Sequence, residues 1–187
     1  MRAGTYSLGP ANGQLILKTG RTGLGRRAGH DLTIEITQWE GTATVDPADP
    51  TASSVTVTVD VDSFAVREGA GGVKPLTDGD RAEIKRTLQR EILHTDKHPS
   101  ITFQSTQVAG TPETFAIEGE LTILDQTRPI TVRGSALDGD GDGDRLHGGA
   151  TVVQSQFGIK PYSAFFGALK LADEVEIAFE LGVPSPA

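Results

Sequence analysis

Alternation with a period of two constrains this chain more than any other feature. Val55, Val57, Val59 and Val61 alternate with Thr56, Thr58, Asp60 and Asp62, the pattern of a strand with one face buried and the other in water. The run is rich in β-branched residues, which suit a pleated surface. The same alternation recurs at Phe115, Ile117, Leu121 and Ile123 against Glu118, Glu120 and Thr122. It appears again at Val175, Ile177, Phe179, Leu181 and Val183 against Glu174, Glu176 and Glu180. Weaker strands are expected at 14–19, 31–38, 40–45, 100–108, 128–137 and 146–157, each bounded by Gly, Pro, Asn or Asp. Asn12-Gly13 reads as a hairpin signal joining a short first strand around Tyr6 to the next. About eight to ten strands with short polar connections, and no alternating helices, predict an antiparallel barrel or sandwich.

One segment breaks the period. Asp80 followed by Glu83 has capping-box spacing with Asp as the cap, and Ile84, Leu88 and Ile92 then recur at i, i+4, i+8 with Arg81, Lys85, Arg86 and Arg90 outside the stripe. This predicts a single long helix over 81–93, preceded by the glycine-rich stretch 68–72 and ended by His98-Pro99. Its apolar stripe needs cover, and the mouth or flank of a barrel supplies it.

Composition removes several classes of function. Seventeen Lys and Arg against 25 Asp and Glu give a formal net charge of −8, unlike the clustered basic surface of a nucleic-acid binder. The absence of Cys removes disulfides, thiolate metal sites and cysteine nucleophiles together. Residues 1–10 hold no apolar signal core and no run approaches a membrane span, so a soluble cytoplasmic protein of one domain, 1–187, is expected.

The motifs that could carry chemistry are weak. Residues 138–144 (DGDGDGD) imitate the first half of a calcium loop, but Gly149 stands where the bidentate Glu is needed. The favoured reading is a solvated turn. His94 and His98 are four apart, a spacing that suits zinc on a helix, yet Pro99 places His98 at or beyond the helix end. Glycines 20, 23, 25 and 29 match neither the dinucleotide fingerprint nor a phosphate loop, although Arg26 and Arg27 beside them could meet an anionic head group. No G-x-S-x-G nucleophile motif and no paired carboxylates stand out, so an enzyme is not expected. The stretch QFGIKPYSAFFGALKLAD spends many large apolar groups in a segment too punctuated for one regular element. Loops of that kind cover a core or a ligand.

Several strings together resemble the YceI family, lipocalin-like β-barrels that bind long isoprenoid lipids. They are the opening GTYSL leading to GQLILKT, the helix running into HTDKHPSITFQST, then FAIEGELTILDQTRPITVRGSA, and the closing QFGIKP and LADEVEIAFEL. The resemblance spans nearly the whole chain. It implies an all-β fold with one helix: an eight-stranded antiparallel lipocalin-like barrel, a long apolar tunnel, and an amphipathic helix packed on its side. It also implies a non-enzymatic carrier or store of a polyisoprenoid or isoprenoid quinone, with no cofactor beyond that lipid.

The candidate lining on the strands is Leu17, Ile34, Val57, Val59, Phe64, Phe103, Phe115, Ile117, Leu121, Ile123, Val132, Ile177 and Phe179. Leu88 and Ile92 add the helix, and Phe157, Tyr162, Phe165, Phe166 and Leu169 add the late loop. Arg26, Arg27 and His30, with Tyr162, are candidates to meet a polar head group at the mouth. A haem- or metal-binding barrel using His30, His94 or His98 stays open as an alternative, as does a ligand-free interaction module. Homodimerisation is left open.

Overall fold

The computed structural model describes residues 2–111, 113–137, 145–164, 166 and 168–183. The acidic repeat at 138–144 and Phe165 therefore lie outside the described residues. The described residues form twelve strands, joined by loops and, between β6 and β7, by a helix: β1 (Gly4–Leu8), β2 (Gly13–Thr22), β3 (His30–Ile36), β4 (Trp39–Val45), β5 (Ser54–Asp60), β6 (Phe64–Gly71), β7 (Ser100–Thr111), β8 (Thr114–Ile123), β9 (Gln126–Leu137), β10 (Arg145–Val153), β11 (Ser163–Ala164) and β12 (Leu169–Gly182). All pairings are antiparallel, in the order β1-β4-β5-β7-β8-β9-β10-β12-β2-β3-β6.

That order hides a simpler circuit. β3 runs into β4 across Thr37 and Gln38, and β5 runs into β6 across the turn Val61–Ser63. The ladder between these two bent strands continues through the break, with Ile36 opposite Phe64 on one side and Trp39 opposite Val59 on the other. Two bridging bonds span it, Thr37 N–H to the Ser63 carbonyl at 3.3 Å and Asp60 N–H to the Gln38 carbonyl at 3.1 Å. β1 and β2 likewise lie along β4 and β3 in turn. Taking each of these three pairs as one kinked strand, and adding β7, β8, β9, β10 and β12, gives an eight-stranded meander that closes where β12 pairs with β2. β11 is a short addition on β12. Closure removes most of the unpaired edges that would otherwise invite aggregation.

The expected hairpin at Asn12-Gly13 does not form. β1 pairs with β4, while β2 pairs with β3 and β12. Asn12 instead closes a turn: its Oδ1 accepts from Gly9 N–H at 2.9 Å and its Nδ2 donates to the Ser7 carbonyl at 2.8 Å. An Asn side chain that satisfies its own local backbone competes with the two-residue hairpin turn. The chain is kinked here and carries on along the same neighbour.

The helix also begins earlier than its sequence pattern suggests. α1 spans Asp78–Thr87 and passes into a π-helical turn at Leu88–Ile92. Thr77, not Asp80, is the cap: its hydroxyl accepts from Asp80 N–H at 3.1 Å, and the Asp80 carboxylate accepts from Thr77 N–H at 2.9 Å. The reciprocal pair satisfies two otherwise orphaned donors. Ile84, Leu88 and Ile92 pack against the barrel core, as the stripe requires.

Candidate functional site: an apolar cavity along the barrel axis

The inward half of the alternating strands does not meet at the axis. It surrounds a cavity of about 450 Å³, within the range typical of small-molecule sites. Val55, Val57 and Val59 of β5 line it, with Leu15 and Leu17 of β2, Ile34 and Ile36 of β3, and Ile101 and Phe103 of β7. Phe115, Ile117, Leu121 and Ile123 of β8 continue the wall, followed by Val132 of β9 and Ile177 and Phe179 of β12. Phe64, Leu88, Ile92 and buried Leu93 complete it beside the helix.

Three glycines keep the tube open. A Cβ on Gly119, Gly134 or Gly148 would come within 2.6 Å of the ring of Phe103, Phe115 or Phe179 respectively. Gly134 lies directly opposite Phe115, and Gly148 opposite Phe179. Each ring therefore lies along the wall over a position with no side chain, instead of crossing the lumen. Glycine within a strand marks this kind of close approach.

One end is sealed and the other reaches solvent. Buried Leu93, Phe157 and Ile159 close the end below the helix. At the opposite end the wall is formed by Thr44–Pro47, Pro50 and Ser53 after β4 and by Val108–Thr111 of β7, several of them exposed. That rim is held by its own hydrogen bonds: Asp46 Oδ1 accepts from Ala48 N–H at 2.9 Å, and Ser53 Oγ accepts from Asp46 N–H at 2.9 Å. Polar lining is sparse, comprising Thr44, Asp46, Ser53 and Thr111 at the rim and Thr19 and Gln154 near the sealed end. The wall has a seam as well. The β9–β10 ladder stops at Gly149 opposite Arg133, and a surface groove beside it shares Ile130, Gly149, Ala150 and Ile177 with the cavity.

Trp39, which the sequence reading missed, is a buried part of this wall, and its Nε1–H has no hydrogen-bond partner among the described residues. Tyr6 was missed as well; it lines the cavity while its hydroxyl donates to the Arg2 carbonyl at 2.6 Å. Trp39 opens β4 and Tyr6 is the middle residue of the short β1, so neither belongs to a long alternating run that could flag it.

Other candidates fall elsewhere. Phe157 belongs to the seal and not to the cavity wall, because the turn Gln154–Phe157 directs it into the core. Leu169 packs over Gly29, whose Cβ would meet it at 2.7 Å. Tyr162 and Phe166 are exposed. Arg26, Arg27 and His30 lie at the sealed end, away from the rim, on the turn that Arg21 ties to Asp31 at 2.9 Å and to the Gly29 carbonyl at 2.6 Å. His30 Nε2 is 2.8 Å from the Lys74 carbonyl, His98 Nδ1 is 3.2 Å from Asp125, and His94 follows the helix with φ 46°. None of the three lines the cavity, and no group of three potential metal ligands comes together among the described residues.

A closed antiparallel barrel with one flanking helix and a nearly wholly apolar axial cavity defines a lipocalin-like binding fold. The chain belongs to the YceI family: the model of the YceI-like domain matches residues 7–183. A UPF0312 protein of Pseudomonas aeruginosa is 31% identical over 129 residues, covering 65% of this chain and 60% of that protein. Protein YceI of Shigella flexneri is 31% identical over 112 residues, 59% of this chain and 50% of the relative. The chain thus spans about half to three-fifths of the length of the curated relatives it matches. Among solved structures, Burkholderia cenocepacia BcnA superposes with TM-score 0.69 at 19% identity, covering 94% of this chain and 98% of that one. A polyisoprenoid binding domain from Saccharophagus degradans superposes with TM-score 0.61 at 8% identity, covering 98% and 100%.

Proposed function

We propose that the protein binds a long apolar lipid in the axial cavity and acts as a carrier or store for it, without catalysing a reaction on it. The observation that carries this reading is the apolar lumen of about 450 Å³, kept open by phenylalanines laid over glycines. Moving apolar surface out of water contributes about 25 cal/mol per Å², so a chain of ten or more carbons gains several kcal/mol without a single polar contact. Affinity then comes from burial, and length selection from the distance between the rim and the seal. An isoprenoid chain suits such a tube, and the fold's likeness to a polyisoprenoid binding domain supports that choice.

A quinone or other oxygen-bearing head fits the same reading. Trp39 Nε1–H offers a buried donor without a partner among the described residues, and an acceptor on the ligand would relieve a cost of about 1–3 kcal/mol. No cofactor is invoked beyond the lipid. A cytoplasmic site of action is part of the proposal, and cell fractionation checks it.

Lipid extraction of the purified protein followed by mass spectrometry is the direct test. A stoichiometric prenyl lipid is the expected result, and lipid-free protein that also fails to take up added polyprenol would overturn the proposal. Trp39 is the only tryptophan, so delipidated protein titrated with a ubiquinone analogue should show saturable quenching from within the cavity.

A further inference from the structure

The sealed end of the barrel carries a surface that neither the cavity nor the fold explains. Among the described residues three segments form it: residues 20–30, 71–77 and 158–172 without 165 and 167. They are tied together by Gly25 N–H to the Ala168 carbonyl at 2.9 Å, by β11 on β12, and by His30 against the Lys74 carbonyl at 2.8 Å. The large hydrophobic residues exposed among the described residues are Leu24, Val73, Tyr162 and Phe166, and all four stand on these segments. Leu24 and Phe166 are fully exposed, and Val73 is 84% exposed.

Charge segregates to the same place. In a chain of net charge −8 with 25 acidic residues, these segments contain Arg21, Arg26, Arg27, Lys74, Lys160 and Lys170 and no Asp or Glu. Arg21 is bound to Asp31, and Lys74 stands 3.9 Å from Asp80. Arg26, Arg27, Lys160 and Lys170 make no ion pair with any described residue. Phe166 adds an independent observation. It holds φ 55°, a region that costs a bulky residue backbone energy, and it recovers none of that by burial.

Apolar side chains at loop tips ringed by unpaired cations are the composition of a surface that lies on an anionic lipid interface. We propose that this end of the barrel docks on a membrane bearing anionic head groups, with Leu24 and Phe166 entering the interface and Arg26 and Arg27 meeting the lipid phosphates. The rest of the molecule agrees electrostatically. The solvent-reaching rim, with Asp46 and Asp49, lies at the opposite end of the barrel and is turned away from the negative surface. The docked layer meets the cavity wall at Thr19, which adjoins Gly20, and at Leu171, which belongs to the third segment.

Flotation of the full chain with vesicles of phosphatidylcholine, with and without phosphatidylglycerol, tests this. The expected result is partitioning onto the anionic vesicles that falls with added salt. It should drop at least about thirtyfold in Arg26→Glu/Arg27→Glu, which removes two cations from the anionic leaflet, and it should fall as well in Leu24→Ser/Phe166→Asn, which removes the apolar groups that enter the interface. Asn accepts positive φ more readily than Phe, so the second variant should melt no lower than the parent, which separates lost docking from lost folding. Equal flotation with neutral and anionic vesicles, or no change in either variant, would overturn the proposal. So would a dimer in light scattering that both variants dissociate, because the patch would then be a self-interface. Lipid extracted from the same preparations separates this proposal from the carrier reading. Protein that still floats but is lipid-free and takes up no added polyprenol ends the carrier reading alone, and a filled cavity in protein that never floats ends docking alone.

Discussion

At the scale of single residues, the outcome depends on what each polar group finds. Thr77 and Asp80 find each other, and the Thr77 backbone N–H, followed by its hydroxyl, holds the Asp80 carboxyl below its ordinary value of 3.8. A depressed carboxyl contributes stability that is present above its unfolded value and is lost as pH falls through the lower folded value. Thr77→Ala should lower the denaturant midpoint by about 1 kcal/mol of stability. Asp80→Asn should cost stability at neutral pH and nothing once the solution is acidic enough to protonate the parent, a contrast that urea titrations at two pH values would read. Phe157 gives the opposite kind of case, an apolar ring 3% exposed at the seal. Phe157→Ala should cost about 3–5 kcal/mol, measured by thermal or chemical unfolding, because the truncation leaves a cavity in the packed core. Its role in the seal was not legible, since the glycine- and proline-rich segment around it has no period from which a direction could be read.

At the scale of elements, strand identity was legible and strand pairing was not. The run Val55 to Val61 fixes which face of β5 is buried, and that face lines the lumen. Asn12-Gly13, however, carries the same local signal whether the chain reverses or only kinks, and the hydrogen bonds of Asn12 to Gly9 and Ser7 decided for the kink. Glycine shows the same division. In the sequence glycine marks strand boundaries, whereas Gly119, Gly134 and Gly148 lie within strands and serve the wall by lying under phenylalanine rings. Gly134→Val should push the Phe115 ring into the lumen, so that prenyl-lipid uptake falls while the far-UV dichroism stays that of the parent. The interrupted β9–β10 ladder makes a further prediction in hydrogen exchange. Amides at 150–152 of β10, past the last pair at Gly149 and Arg133, should exchange faster than those at 145–148, since local opening follows the loss of paired neighbours.

At the scale of the whole molecule, charge and apolar surface are divided between the two ends of a closed barrel. The net charge of −8 describes neither end: much of it is the outward half of the strands, while the sealed end is locally cationic. Alternation and capping along the chain were enough for an antiparallel β protein with one covering helix, for the inward side chains of the strongly patterned strands β5, β8 and β12, and for the family its strings resemble, because these are properties of neighbours along the chain. Only the tertiary structure decided that the inward faces enclose a lumen, that Trp39 joins it, that Arg26, Arg27 and His30 stand at the sealed end away from the rim, and that Phe157 seals the tube. Those outcomes depend on which strands lie opposite one another after the sheet closes, and that closure is set by contacts between residues far apart in the chain.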